Sequence, residues 1–298
     1  MSAPPMHAHW ITASGREGAE GDAEALFPWW SFGKTVIAAC ALRLVEDGRL
    51  ALDARCEGGD WTLRQLLAHR AGLPDYGPFK AYHDAVAAGE APWPRQKLWE
   101  VALSKGMFAK PGQDFCYSNL GYMLIREQIE AVTGMGLGAV VKDMITGPLG
   151  LEQVSLAETP EAFAATHWEM HGYDPRWVYH GCLIGTAREA AVLLQALVAG
   201  KILSRPSLDA MLERRVLGGA LEGRPWTVCG YGLGVMTGEV GAVGRAIGHS
   251  GAGPFCVNAV YHFPDGADPI TVACFNAGRD EGMSEFAATR IAGGQSIS

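Results

Sequence analysis

The sequence has few cationic residues and no long hydrophobic run. Of its 298 residues, 24 are Lys or Arg and 32 are Asp or Glu, so the formal net charge at pH 7 is −8. A nucleic-acid-binding protein usually presents a basic face, and the absence of a Lys/Arg-rich segment argues against that class. It also argues against binding to a lipid surface through basic residues. The longest apolar run, from Thr35 to Leu42, is far shorter than the ~20 residues that a membrane-spanning helix needs.

The sequence also lacks a signal peptide and a regular cysteine pattern. No basic start followed by an apolar stretch opens the chain, which predicts a cytoplasmic protein. The seven cysteines include no CxxC pair, so we interpret them as small buried hydrophobic residues. The segment His167-Trp168-Glu169-Met170-His171 departs from the H-E-x-x-H pattern of zinc hydrolases. On a helix its glutamate would face away from both histidines, so no metal is expected.

Hydrophobic residues make up 48% of the chain, which is enough to fill the core of one large domain or two smaller ones. Apolar spacings of three and four residues and capping residues predict helices at 33–46, 118–134, 137–145, 186–200 and 283–291. They also predict a short helix that opens at 61–64 and ends by 72–74. Short β-rich segments bounded by Gly or Pro-Asp-Gly predict strands at 9–13, 25–30, 231–236, 246–249, 256–263 and 270–275.

The predicted strands lie at both ends of the chain, and the predicted helices fill the middle. This order predicts an α+β fold in which residues 1–52 and 222–298 form an antiparallel sheet domain. Residues 53–221 would form an inserted helical domain. We expect a small-molecule site in the cleft between the two.

Ser31 and Lys34 form a Ser-x-x-Lys pattern at the start of a predicted helix. Residues three apart share a face of a helical turn, so the hydroxyl and the amine are expected to lie side by side. The N-terminus of a helix favours an oxyanion, and a lysine desolvated by burial can accept the serine proton. The pattern alone also fits a capping serine with a solvated lysine.

Tyr117 and Asn119 form a Tyr-x-Asn pattern where the predicted helix 118–134 begins. A tyrosine close to a lysine ammonium can act as a general base, because the positive charge favours its phenolate. The Asn119 amide can hydrogen-bond both the lysine and a substrate carbonyl. The alternative is a helix cap beside a tyrosine that belongs to the core.

A glycine-rich segment, Gly248–Gly253, separates two predicted strands. Such a segment lets a ligand approach the backbone, whose N–H groups can supply part of an oxyanion hole. A tight β-turn carrying a surface histidine is the alternative. A Ser-His-Asp nucleophile at Ser250 is not expected, because the last glycine of G-x-S-x-G is displaced to Gly253 and no helix follows.

In this order, Ser-x-x-Lys, Tyr-x-Asn and His-x-Gly resemble the active-site elements of class C β-lactamases and penicillin-binding-protein-like serine hydrolases, a family that includes esterases and D-peptidases. The sequence between the motifs also resembles that family, over about residues 25–290. The clearest matches are at 42–52, 66–76, 111–134, 148–150 and 275–278. The resemblance implies the β-lactamase/transpeptidase-like fold. It also implies a serine hydrolase that forms an acyl-enzyme and uses no cofactor.

The resemblance implies a role for each motif residue. Ser31 would attack a carbonyl and become acylated. Lys34 and Tyr117 would share the proton transfers, with Tyr117 activating water in deacylation. Asn119 would orient Lys34 and the substrate.

The third motif and one loop supply the remaining candidate residues. The backbone N–H groups of the nucleophile and of Ala252, which follows Gly251, would form the oxyanion hole, and His249 would line the pocket. Trp177 and Tyr179 belong to a loop of the helical domain near the cleft. They either contact substrate or only pack.

Two departures from the family bear on function. Only 30 residues precede Ser31, where relatives usually have a helix and a first strand, which predicts a smaller sheet or a start placed too late. His249 stands where many of the β-lactamases have lysine, so no permanent cation faces a substrate carboxylate. We therefore expect small ester or amide substrates, with an esterase first, a D-amino-acid amidase or D-peptidase second and a β-lactamase third. A catalytically inactive binding protein on the same fold is the alternative of another class, and the oligomeric state stays open.

Overall fold

A computed structural model describes residues 6–168 and 172–294. Its strands are β1 (Met6–Thr12), β2 (Glu17–Glu20), β3 (Phe27–Pro28), β4 (Ser155–Ala157), β5 (Cys182–Gly185), β6 (Arg215–Gly218), β7 (Trp226–Tyr231), β8 (Met236–Val240), β9 (Gly244–Ala252), β10 (Cys256–Phe263) and β11 (Ile270–Ala277). Eight of them form one antiparallel sheet in the order β2-β1-β11-β10-β9-β8-β7-β6. The others form a small sheet in the order β3-β5-β4.

Ten α-helices accompany these strands in the described residues. They are α1 (Gly33–Glu46), α2 (Leu63–Leu67), α3 (Lys80–Ala87), α4 (Arg95–Ala102), α5 (Asn119–Thr133), α6 (Leu137–Val141), α7 (Pro160–Phe163), α8 (Ala187–Val198), α9 (Arg205–Leu212) and α10 (Glu281–Ala292). A 3₁₀ turn at Trp30–Phe32 leads into α1, and a π-helical turn at Lys142–Thr146 continues α6. No helix among these is long and apolar enough to cross a membrane.

The large sheet is covered on both faces. Alternate residues of β10 and β11 belong to two separate hydrophobic clusters: Tyr261 and Cys274 to one, Val260 and Phe275 to the other. Helix α10 packs on the first face, whereas α8 packs on β1, β10 and β11 from the second. Side chains alternate between the two faces of a strand. Because both faces of this sheet are covered, the residues that point to either face must be apolar.

The predicted architecture is confirmed: strands from both ends of the chain build one antiparallel sheet, and helices fill the middle. Strand β1 pairs with β11, so the N-terminal strand lies beside the last one. The division at residues 52 and 222 stays a prediction. Two elements that it assigns to the helical part, β6 and α8, pair with or pack on the large sheet.

Two strand predictions need correction. Between Tyr231, which ends β7, and Met236, which begins β8, residues 232–235 form a turn, where Gly232 donates its N–H to the Val235 carbonyl and Gly234 has a φ of +77°. The alternation of apolar residues and glycines in this segment resembles the sequence pattern of a strand. The positive φ of Gly234 is incompatible with a regular strand. In the segment 25–30 only β3 is a strand, and the chain turns into the 3₁₀ conformation at Trp30.

All seven cysteines have free thiols, as the sequence predicts. Five of them are buried, while Cys56 and Cys116 are partly exposed. The predicted helices at 33–46, 118–134, 186–200 and 283–291 correspond to α1, α5, α8 and α10.

We expect the cap of α8 to contribute measurably to stability. The Thr186 side chain accepts the N–H of Glu189, and the Glu189 carboxylate accepts the N–H of Thr186, which is a complete capping box. Thr186→Ala should lower the free energy of unfolding by about 1 kcal/mol in urea denaturation. Thr186→Ser keeps the acceptor and should retain most of the stability. Equal stability of the alanine and serine variants would contradict this account.

Candidate active site

Ser31 lies in the 3₁₀ turn that enters α1, and its position depends on a strained neighbour. Trp30 has a φ of +42°, which is unfavourable for a residue with a bulky side chain. Its ring is buried against Phe163, Tyr173 and Phe255, and its Nε1 donates to Cys256 Sγ. This packing holds the backbone in a turn that leaves Ser31 partly exposed.

Lys34 is fully buried one turn further along α1. Its Nζ lies 3.1 Å from Ser31 Oγ, 2.7 Å from Asn119 Oδ1 and 3.3 Å from His180 Nε2. Burial lowers the pKa of Lys34 from 10.5 to about 7, although the charges of Asp75 and Glu281 oppose the shift. A neutral amine is therefore well populated near pH 7.

The hydrogen-bond partners of Lys34 determine where the lone pair of its neutral amine can point. The Asn119 oxygen is an acceptor, and burial lowers the pKa of His180 well below 6.5, so its ring is neutral. A neutral amine has two N–H groups and one lone pair. If Asn119 Oδ1 and His180 Nε2 accept the two N–H groups, the lone pair is left for the Ser31 hydroxyl.

Asp75 fixes the orientation of Asn119. Its Oδ1 accepts the Asn119 backbone N–H at 2.9 Å, and its Oδ2 accepts the amide nitrogen at 3.2 Å. The amide oxygen therefore points toward Lys34. Asp75 thus provides a negative charge near Lys34 without contacting the amine directly.

Tyr117 reaches the same serine from the N-terminus of α5. Its hydroxyl donates to Ser31 Oγ at 2.9 Å. The His69 ring packs on it at a centroid distance of 4.2 Å, and His69 Nδ1 accepts the Ser118 N–H. Burial raises the pKa of Tyr117 well above 10, against a smaller opposing effect of the Ser31 hydrogen bond. The phenol is therefore neutral at pH 7, which corrects the expectation that Lys34 favours its phenolate.

His249 is buried on β9 and lacks a charge. Its Nε2 lies 3.0 Å from the Tyr231 hydroxyl. Burial and the charge of Lys34 lower the pKa of His249 to about 3. The third motif therefore contributes a neutral ring to the pocket wall.

The strand that carries His249 presents an open edge to the nucleophile. Strand β8 pairs with β9 only as far as Gly248, so residues 249–252 pair with β10 alone within the described sheet. A Cβ at Gly251 would lie 2.8 Å from the Ser31 backbone nitrogen, so only glycine allows this approach. The Gly253 N–H donates to the Cys256 carbonyl on β10. Because the N–H groups of consecutive strand residues point in opposite directions, the Ala252 N–H points away from β10, to the open edge of β9.

Two cavities meet at Ser31, Asn119 and Ala252. The sheet-side cavity, of about 600 Å³, is lined further by Phe115, Tyr117, Leu217, Arg224, Tyr231, Met236, His249 and Glu281. The helix-side cavity, of about 550 Å³, is lined further by Trp30, Tyr76, Tyr82, His83, Tyr173, His180 and Arg279. Ser31 thus faces two compartments, one on the side of the sheet and one on the side of the helices.

Trp177 and Tyr179 lie outside both cavities. Trp177 is 1% exposed, packs against Tyr82 and Trp93, and donates Nε1 to the Glu90 carbonyl. The Tyr179 hydroxyl donates to the Trp93 carbonyl. Both rings thus pack in the helical part, and their assignment to substrate binding stays a prediction.

Sequence reasoning missed Asp75 and His180 at the centre of the site. Asp75 follows Pro74 in a segment that resembles the family, but nothing in its spacing predicts a contact with Asn119. His180 is the last residue of the predicted loop that carries Trp177 and Tyr179, and the chain that enters β5 brings it to Lys34. Glu169, Met170 and His171 of the histidine-rich segment lie outside the described residues. Within 6–168 and 172–294, no cluster of three His, Cys, Asp or Glu side chains is arranged to hold a metal.

A serine that contacts a buried amine and a phenol, beside an open strand edge, defines the class of serine–lysine hydrolases. The family model "Beta-lactamase" matches residues 6–293 of this chain. The chain therefore belongs to the Beta-lactamase family, a family of serine hydrolases.

Individual relatives are distant. Penicillin-binding protein 4* of Bacillus subtilis is 29% identical over 141 residues, which cover 43% of this chain and 30% of the relative. The D-alanyl-D-alanine-carboxypeptidase/endopeptidase AmpH of Escherichia coli is 29% identical over 101 residues, 34% of this chain and 25% of the relative. This chain thus spans less than a third of either relative. The D-amino acid amidase of Ochrobactrum anthropi SV3 shares the fold, with a TM-score of 0.77, 19% identity and coverage of 96% of this chain and 92% of that one.

The pKa of Lys34 predicts how the acylation of Ser31 depends on pH. If the neutral amine is the base, the burst of p-nitrophenol from p-nitrophenyl acetate should accelerate about tenfold per pH unit below 7. The rate should level off above pH 7. Stopped-flow absorbance at a pH-insensitive wavelength measures it. A rate that continues to rise to pH 10 would instead assign the proton transfer to Tyr117. In a separate test, Lys34→Arg should abolish the burst.

Proposed function

We propose that this protein hydrolyses small amides and esters of D-configured amino acids through an acyl-enzyme on Ser31. The observation that carries the proposal is the meeting of two proton-transfer groups on one oxygen. The Lys34 amine and the Tyr117 hydroxyl lie 3.1 and 2.9 Å from Ser31 Oγ. Nucleophilic catalysis by serine needs this contact with a base.

In the proposed acylation step, Ser31 Oγ attacks the substrate carbonyl carbon while neutral Lys34 accepts the hydroxyl proton. The proton then passes to the leaving nitrogen or oxygen. Tyr117 contacts the same Oγ and would relay this proton. Its hydroxyl would give its own proton to the leaving atom and accept the proton that Lys34 holds. Deacylation runs in reverse with water in place of the leaving group, so Tyr117 acts as a relay in both steps.

The oxyanion of the tetrahedral intermediate would accept the N–H groups of Ser31 and Ala252. The approach of Gly251 to the Ser31 nitrogen and the open edge at Ala252 support this assignment. Each such donor typically contributes about 3 kcal/mol to the stability of the transition state. A degenerate binding protein would not need this set of groups.

The choice between ester and amide rests on the relatives. Sequence analysis placed esters first, but AmpH and the Ochrobactrum enzyme are named as proteins that cleave peptides or amides of D-amino acids. Their names favour D-configured amides for this chain. The neutral His249 disfavours a β-lactamase, because a β-lactam brings a carboxylate to this region and His249 carries no charge to replace that of the missing lysine.

Steady-state kinetics with matched substrates test the proposal. D-Phenylalaninamide should be hydrolysed with at least about tenfold higher kcat/KM than L-phenylalaninamide, and p-nitrophenyl acetate should also be cleaved. Ser31→Ala should lower all activities by about 10³-fold or more. Ser104→Ala, at an exposed serine, should retain them. Cleavage of the ester alone would restore the esterase preference, and no hydrolysis of any substrate would contradict the proposed function.

A further inference from the structure

The sheet-side cavity has an unusual charge balance. Among the described residues that line it, Arg224 and Glu281 carry the charged side chains. His249, on the same wall, is neutral because burial lowers its pKa to about 3. The electrostatic preference of the cavity therefore depends on how far these two charges compensate each other.

The guanidinium of Arg224 is already occupied. Its Nε donates to Glu285 Oε2 at 2.6 Å, and its Nη2 donates to Glu285 Oε1 at 2.5 Å and to Ser250 Oγ at 2.7 Å. Glu285 is 1% exposed and also accepts from Trp226 and Tyr261. This bidentate pair neutralises Arg224 from the protein side, so the arginine has little capacity left for a substrate carboxylate.

Glu281 is the second carboxylate on the same arginine. Its Oε2 lies 2.8 Å from Arg224 Nη1, and its side chain is 29% exposed toward the cavity. One guanidinium thus faces two carboxylates, so the group has a net charge of −1 when both carboxylates are ionised. Burial raises the pKa of Glu281, although Arg224 opposes this shift, so an additional cation would stabilise the ionised carboxylate.

We propose that the sheet-side cavity binds the α-ammonium group of the substrate and that Glu281 is its partner. This inference rests on the proposed function, because it places the amino group of an amino-acid amide beside Ser31. Apolar side chains of Phe115, Leu217 and Met236 line the same cavity and can accept the substrate side chain. The preferred substrate would then have a free amino end, and a C-terminal carboxylate would be disfavoured in this cavity.

Equilibrium binding tests the proposal without depending on turnover. Isothermal titration calorimetry of the Ser31→Ala protein at pH 7 would compare D-phenylalaninamide with N-acetyl-D-phenylalaninamide. The ammonium ligand should bind at least about tenfold more tightly. The preference should fall to about twofold or less in Ser31→Ala/Glu281→Gln, and Ser31→Ala/Glu281→Asp should retain part of it.

A matched variant separates a local contact from the general field of the protein. Glu222 is exposed, lies two residues from Arg224 and does not line the cavity. Glu222→Gln removes the same charge, and its protein should keep the ammonium preference. Urea denaturation checks the folding of each variant. We expect Glu281→Gln to fold, because Arg224 keeps its pair with Glu285.

The outcomes distinguish this inference from the proposed function. Equal affinity for the two ligands, no binding of either, or a preference that survives Glu281→Gln would each overturn the ammonium site. An equal loss of preference in Glu222→Gln would overturn it as well. If Ser31-intact protein fails to hydrolyse amides while the Glu281-dependent preference persists, the hydrolase proposal fails and the binding site stands.

Discussion

The site depends on an amine that is buried without a direct counter-ion among residues 6–168 and 172–294. Lys34 lies on the apolar helix α1, where a full ammonium charge is costly. Asp75 supplies compensation, but it reaches Lys34 through the Asn119 amide and not by contact. A carboxylate in contact would hold the ammonium form, and no carboxylate at all would lower the pKa further. This intermediate arrangement accounts for a pKa of about 7 and makes Lys34 suitable both to accept and to return a proton.

The fold brings three distant segments to that amine. The 3₁₀ turn before α1 and the first turn of α1 supply Ser31 and Lys34. The segment that enters α5 supplies Tyr117 and Asn119, and β9 contributes the open strand edge. Asn258 on β10 donates to the Trp29 carbonyl and so ties the chain before Ser31 to the sheet. Gly251 allows β9 to approach the same backbone. Small changes in these contacts would move the nucleophile relative to its base, and distance governs proton transfer steeply.

Much of this arrangement can be predicted from sequence because it is encoded locally. Apolar periodicity and caps fix α1, α5 and α8, and the Ser-x-x-Lys spacing places Lys34 beside Ser31. Asp75, His180 and Glu281 could not be predicted, since their roles come from contacts between segments that have no fixed spacing. The turn at 232–235 has the apolar content of a strand, but the positive φ of Gly234 sets its conformation. Trp177 and Tyr179 show that aromatic content alone does not separate packing from binding.

The central claim is that Ser31 becomes acylated with the help of Lys34. Intact-protein mass spectrometry tests it most directly, after incubation with a fluorophosphonate, a p-nitrophenyl ester and a penicillin. The account predicts that the fluorophosphonate and the ester add their mass to the wild-type protein and that neither does so to Ser31→Ala. The adduct formed by penicillin would be the weakest. Adducts of equal yield on the Ser31→Ala protein, or none on the wild type, would contradict the account.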